Sequence, residues 1–267
     1  MQVKEIHIEY SRPDVFRIHP VGDIHLGTLH CAEDLLEQKV NEIKSDPFSY
    51  WIDMGDSAEF ITPHDPRWDS GAMPEWLHPN NIGVDQANRY CEIMEPIAGK
   101  CIGKIKGNHE ASIEQHSDID VQRNICETLN VDNLDSACFI KFIFSRKGST
   151  EKHSYLGFFT HGAGGAVTAG AKLTRLQRLM DNFDADIVAC GHVHDILTYV
   201  RPYMTLDASN KIKQRVEVGA VTGCYFKTYT QGVSSSYGEK KNYPPVTLGS
   251  PIFIINPDKG ILRVENG

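Results

Sequence analysis

Eight side chains able to bind a cation or move a proton stand at five places in the sequence, each place marked by a glycine. They are Asp23 and His25 in GDIH, Asp56 in GD, Asn108 and His109 in GNHE, His161 in HG, and His192 and His194 in GHVH. Two aspartates, one asparagine and five histidines make a mixed set of oxygen and imidazole donors. Such a set suits manganese, iron, zinc or nickel better than magnesium or calcium, which prefer all-oxygen surroundings. Eight donors exceed the needs of one open catalytic ion. They suit two ions about 3.5–4 Å apart, the separation used for in-line displacement at phosphorus. Each piece alone has an ordinary reading, since GD after a strand is commonly a turn and a lone histidine is commonly structural. The weight lies in the ordered series.

Each group follows a short apolar run that reads as a strand. Ligands of α/β proteins bind where loops leave the carboxyl ends of strands, and glycine lets the backbone turn sharply there. Upstream, residues 3–10 and 15–21 read as paired strands joined by the turn SRPD. Residues 35–44 have helical spacing and stop at Asp46-Pro47. A strand at 50–54, a helix at 84–97, a strand ending at Lys106 and a helix at 119–129 follow. Residues 139–145 and 155–160 read as neighbouring strands, 173–183 as a basic amphipathic helix and 187–189 as a short buried strand. From 195 the character is mostly β, with strands at 196–200, 215–220 and 252–256. The alternation predicts a layered α/β fold with two sheets between helices, as a single domain over 1–267. Two stretches lack periodicity. Residues 62–83, with four prolines and two tryptophans, read as a surface excursion of functional or mobile character. Residues 228–249, rich in Tyr, Ser, Gly and Pro, read as a second surface loop.

Composition narrows the classes. The formal net charge of −8 over 267 residues disfavours a broad non-specific nucleic-acid face, which needs a basic surface. The seven cysteines form no CxxC pair and are expected to be reduced thiols. The N-terminal MQVKEIHIEYSR has no signal-peptide core, and no apolar run approaches the ~18 residues of a membrane helix. A soluble cytoplasmic protein with no membrane partner is expected.

As an ordered set, GDIH, GD, GNHE, HG and GHVH resemble the calcineurin-like metallophosphoesterase superfamily, in its small bacterial and phage-borne members, over residues 20–194. The resemblance implies a four-layer sandwich of two mixed β-sheets flanked by helices. It implies that Asp23, His25 and His194 hold one metal, that Asn108, His161 and His192 hold a second, and that Asp56 bridges them. The cofactors it implies are two divalent ions, manganese first, with iron, zinc, nickel or cobalt as alternatives. His109 then falls outside the ligand set and serves the leaving oxygen of a phosphoester attacked by a metal-bridging hydroxide. Glu110 has two compatible readings: it holds the His109 imidazole, or it is a helix N-terminal carboxylate facing the dipole.

Substrate contacts are less sharply drawn. The glycine-rich run after His161 is also similar to a stretch in small members of that superfamily. It offers Gly164 and Gly165 as backbone donors to phosphate. Lys172, Arg175 and Arg178 recur every third residue, as a solvated helix face or as contacts to a phosphate backbone. Trp68 and Trp76, with Arg67 near by, could stack a nucleobase, or anchor the excursion or an oligomer interface. His7, His19, His30, His116 and His153 are given no role. The function expected is hydrolysis of a phosphodiester in DNA, RNA or a nucleotide. The alternatives are a phosphomonoesterase, acting on nucleotides or proteins, and a nucleotide pyrophosphohydrolase. A non-catalytic scaffold is disfavoured because every expected ligand is present.

Overall fold

The computed structural model describes residues 1–65, 67–207 and 209–267. Pro66, inside the expected 62–83 excursion, and Ala208 lie outside the described residues. Two mixed sheets face each other. The first contains β1 (Gln2–Tyr10), β5 (Ala137–Arg146), β6 (Lys152–Thr160), β7 (Ile187–Cys190), β8 (Ile196–Leu206) and β9 (Ile212–Thr222), in the order β1-β5-β6-β7-β9-β8. The second contains β2 (Phe16–Val21), β3 (Ser49–Asp53), β4 (Cys101–Lys104), β10 (Ile252–Asn256) and β11 (Ile261–Glu265), in the order β11-β10-β2-β3-β4.

Alternation along the strands decides which face meets which. In β5, Cys138, Ile140, Phe142 and Phe144 are buried every second residue, as a strand with one face in the core requires. They pack between the sheets against Ile18, Ile52, Ile102, Phe253 and Ile255 of the facing sheet. The outer face of the second sheet is covered by α1 (Glu33–Ser45), α2 (Ile82–Met94) and α4 (Val121–Leu129), whose Leu36, Val40, Tyr90, Met94 and Ile125 pack with Val21 and Trp51. The outer face of the first sheet takes α5 (Ala169–Asn182), whose Leu176 and Met180 meet Phe158, Val188 and Val221. The layers are therefore helix, sheet, sheet, helix, as expected.

Helix limits follow local chemistry. In α1, Leu36, Val40 and Ile43 form the buried stripe, with Glu33 and Asp34 in the first turn and Lys44 in the last, charges that suit the dipole. Thr168 caps α5 by accepting from the N–H of Ala171.

Several expectations need correction. The segments at 3–10 and 15–21 do not pair: β1 runs parallel to β5 in one sheet, while β2 lies between β10 and β3 in the other. The adjacency rule for neighbouring strands gives way because both partners are distant in sequence. A helix, α3 (Asn108–Ser117), starts inside GNHE itself. The strands after 195 extend into an 11-residue antiparallel pair, β8 and β9. β11 at the chain's end and the short α6 (Tyr237–Lys240), within the 228–249 loop, lacked a periodic signal. Among the described residues no helix is long and apolar enough to cross a membrane.

Candidate metal centre

The five glycine-marked groups converge where the two sheets present their strand ends. Asp23 and His25 follow β2, Asp56 follows β3, Asn108 and His109 open α3 beyond β4, His161 follows β6, and His192 and His194 follow β7. The loops are tied to one another by backbone bonds. The Asp56 carbonyl accepts from the N–H groups of Ile24 and His25 at 2.9 and 3.1 Å, and Gly55 accepts from Asp23 at 2.9 Å. A bond between the sheets comes from the His192 N–H, which lies 2.9 Å from Asp23 Oδ2.

Backbone conformation sets these residues apart. Among the described residues eleven that are not glycine have positive φ, and five of them are Asp23, His25, Asp56, His192 and His194. Left-handed backbone costs a side-chain-bearing residue of order 1–3 kcal/mol and gathers at functional sites. Asp and His tolerate it better than branched residues do. Gly107 is needed for another reason, close approach. A Cβ there would stand 2.7 Å from Glu110 Oε2 and would run into Asp56.

The donors form two groups, joined by a third set of three, His25, Asp56 and His109, whose donor atoms also lie close enough to hold an ion. In the first, Asp23 Oδ1 lies 3.3 Å from His194 Nε2, and the Nε2 atoms of His25 and His194 are 2.9 Å apart. In the second, His161 Nε2 lies 3.2 Å from Asp56 Oδ2 and 3.0 Å from Asn108 Oδ1, with His192 completing the group. Asp56 Oδ2 also lies 4.0 Å from His25 Nε2 and 4.0 Å from His109 Nε2. Its other oxygen is engaged, accepting from the His109 N–H at 2.9 Å.

Outer hydrogen bonds fix which nitrogen of each ring faces inward. His25 donates from Nδ1 to Glu59 Oε2 at 2.8 Å, and His161 donates from Nδ1 to the Met54 carbonyl at 2.8 Å. Both rings therefore turn Nε2 into the centre, the arrangement that outer partners impose on metal-binding histidines. Charge follows the same plan. Burial works against charging His161, yet Asp56 and Asp23 outweigh it and lift its pKa to about 10. Burial alone would raise the Asp56 carboxyl, but His109 and His161 hold it well below the usual range. Burial and the His161 charge depress His192. Two ionised carboxylates among inward-facing ring nitrogens fit cations, which would displace the proton that the carboxylates hold on His161, and a mixed N/O donor set fits borderline divalent metals.

His109 stands at the edge of this set. Its Nδ1 donates to the Glu59 carbonyl, and its ring meets that of His25 edge-on at 4.7 Å. Burial disfavours its charged form, but Asp56 and Glu59 outweigh burial and raise its pKa.

Glu110 does not hold the His109 imidazole. Its Oε2 accepts from the N–H groups of Gly107 and Asp56, and its Oε1 from the N–H and the hydroxyl of Ser57. With these bonds Glu110 caps α3 and pins the backbone at Asp56. Below it Lys104 Nζ reaches Glu110 Oε1 at 3.1 Å and Asp53 Oδ2 at 2.8 Å, all three side chains being at most 1% exposed. Tyr90 donates to the same Asp53 oxygen at 2.5 Å.

The expected substrate contacts separate. Gly164, Gly165, Trp68 and Lys172 line a cavity above the centre. Lys172 is nonetheless buried on the Leu176 and Met180 face of α5 and paired with Asp195 at 3.1 Å. Arg175 turns back to the Gly164 carbonyl at 2.7 Å, so the three basic residues make no common face. Trp76 packs into the core under α2 and away from the cavity. Sequence reasoning missed Glu59, whose carboxylate and carbonyl hold two different histidines. Its signal was its place three residues past Asp56, in a stretch with no periodicity. Phe226, read from the sequence with Tyr225, Tyr237 and Tyr243 as stacking surface or loop anchor, has its ring 5.3 Å from that of His25, and His30, given no role, lines the cavity.

No protein-family model matches the sequence, and no curated protein matches it. Solved structures do. A conserved protein of Streptococcus pneumoniae, described as a predicted phosphoesterase, is 13% identical with a TM-score of 0.37 over 94% of this chain and 88% of that one. NAD nucleotidase of Haemophilus influenzae is 11% identical with a TM-score of 0.43, over 94% of this chain and 49% of that one, so the chain spans about half its length. Vps29 of Chaetomium thermophilum is 11% identical with a TM-score of 0.37, over 94% and 93%. Each of these matches covers 94% of this chain.

Proposed function

We propose that this chain is a metal-dependent phosphoesterase that hydrolyses a phosphodiester bond in a nucleotide or nucleic acid. Asp23, His25 and His194 would hold one divalent ion, Asn108, His161 and His192 a second, and Asp56 would contact both. Bound there, the ions supply a water acidic enough to attack near neutral pH and draw charge from the phosphoryl oxygens.

The chain's own groups do the rest. Glu59 and the Met54 carbonyl hold the inward tautomers of His25 and His161. Glu110 fixes the backbone from which Asp56 projects. His109 holds a proton at Nε2, 4.0 Å from Asp56 Oδ2. It delivers that proton to the departing alkoxide, which is a poor leaving group without one. One observation supports the reading above the others: the two donor groups meet at a single carboxylate oxygen of Asp56, with His109 Nε2 only 4.0 Å from it.

The test loads the protein with Mn²⁺ and offers bis(p-nitrophenyl) phosphate, p-nitrophenyl phosphate, a nucleotide pyrophosphate, and single- and double-stranded DNA and RNA. Turnover of the diester is expected. Turnover of the monoester or the pyrophosphate alone would overturn the diester assignment in favour of that activity.

A further inference from the structure

The excursion and the 228–249 loop meet over the centre. Lys240 Nζ lies 3.7 Å from Asp69 Oδ2, and Gly71 comes so close that a Cβ on it would stand 3.2 Å from Ser234 Oγ. Between the two segments and the ligand residues is a cavity of about 860 Å³, floored by His25, Asp56, Asn108, His109, His192 and His194. That volume falls within the range of roughly 300–1,000 Å³ that small-molecule sites occupy.

Two features of its walls bear on what fits. The first is aromatic surface. Trp68 lines one side, and Tyr237 and Tyr243 line another, the tyrosines 52% and 38% exposed and meeting edge to face at 6.2 Å. Lys241 Nζ stands 5.8 Å from the centre of the Tyr237 ring, and the ring surface that the two tyrosines leave exposed suits a planar ligand group, since stacking of a base on an aromatic face tolerates any base. The second is charge. Every lysine and arginine among the described lining residues already has a carboxylate: Arg67 has Asp65, Lys172 has Asp195 and Lys240 has Asp69. A groove for a polynucleotide follows its backbone with unpaired cations, and among the described lining residues no unpaired lysine or arginine begins such a track.

We propose that the cavity selects a phosphoester of nucleotide size, whose planar base lodges among Trp68, Tyr237 and Tyr243 while its phosphate reaches the floor, in preference to a nucleic-acid strand. The proposal rests on the phosphoesterase reading above and adds the size and aromatic character of the substrate.

The experiment compares two diesters on the Mn²⁺-loaded chain, thymidine 5′-(p-nitrophenyl phosphate) and methyl p-nitrophenyl phosphate. In both, water adds to phosphorus, the bond from phosphorus to the aryl oxygen breaks, and p-nitrophenol leaves, so only the nucleoside differs. A preference for the thymidine ester is expected. It should fall about tenfold or more in Trp68→Ala and in Tyr237→Ala, through KM more than kcat. In parallel, thymidine 5′-phosphate is titrated while tryptophan fluorescence is followed. It should quench the wild-type emission, and the quench should disappear in Trp68→Phe. A preference that survives both substitutions overturns the proposal, as does tighter binding of a single-stranded dodecanucleotide than of the mononucleotide. If neither ester is cleaved, the phosphoesterase reading fails. The pocket assignment then stands if the Trp68-dependent quench is present and falls if it is absent.

Discussion

Glu59 reaches His25 and His109 with different parts of itself. Its carboxylate accepts from His25 Nδ1 at 2.8 Å, while its main-chain carbonyl accepts from His109 Nδ1. One residue therefore sets the tautomer of a metal-binding imidazole and of the imidazole assigned to proton delivery. Glu59→Ala should affect only the first link, because the carbonyl remains. Manganese titration by calorimetry should show one of two sites weakened about 10–100-fold and the other retained. Equal weakening of both sites would contradict this division.

Asp56 and His109 should part company under mutation. Asp56→Asn removes charge from the one carboxylate common to both donor groups, so metal content and turnover should fall together. His109→Ala should keep both ions by elemental analysis while turnover of a diester with an alkyl leaving group falls about 10²–10⁴-fold, and turnover of a p-nitrophenyl ester, whose leaving group needs no proton, falls far less. Loss of an ion from His109→Ala would place that histidine among the ligands.

The buried Lys104 is a stability test independent of metal. It faces Asp53 and Glu110 inside the fold, and removing one partner of a buried ion cluster leaves uncompensated charge. Lys104→Met should cost about 3–5 kcal/mol, read from urea unfolding of the metal-free protein. A change below about 1 kcal/mol would mean that water reaches the cluster.

His19 predicts a pH dependence. It is fully buried, bonded through Nε2 to Ser49 Oγ at 3.1 Å, with Nδ1 lacking a partner. Burial, then the charge of Lys39, lowers its pKa from 6.5 to about 3. The folded protein thus refuses a proton that the unfolded chain accepts. This contribution to stability is fully present above about pH 6.5 and is lost as pH falls toward 3, at up to about 1.4 kcal/mol per pH unit. Urea unfolding between pH 7.5 and 4.5 should be less pH-dependent in His19→Leu than in the wild type. Identical slopes would exclude His19 as the source.

The residues that converge on the centre were legible because their information is local. A strand must end before its ligand, and a sharp exit calls for glycine, so Gly22, Gly55, Gly107 and Gly191 announce the rim. What holds the ligands was not legible. Glu59 and the Met54 carbonyl act across irregular backbone, where no period marks a role. The placement of β1 and β2 in separate sheets depends on partners more than a hundred residues away, β5 for β1 and β10 for β2. Lys172 looked like a surface cation because spacing by three relates it to Arg175. Spacing by four relates it instead to Leu176 and Met180, and packing follows that face.

Five of the residues proposed as ligands sit in left-handed backbone, and that has a consequence for the molecule as a material. Glycine would relax each of those positions, and none of them is glycine. His194→Gly, at a position where φ is 47°, should shed its metal and yet melt at a higher temperature than the metal-free wild type. The part of this chain best suited to chemistry is the part least suited to rest, and a version freed of its task would be the sturdier protein.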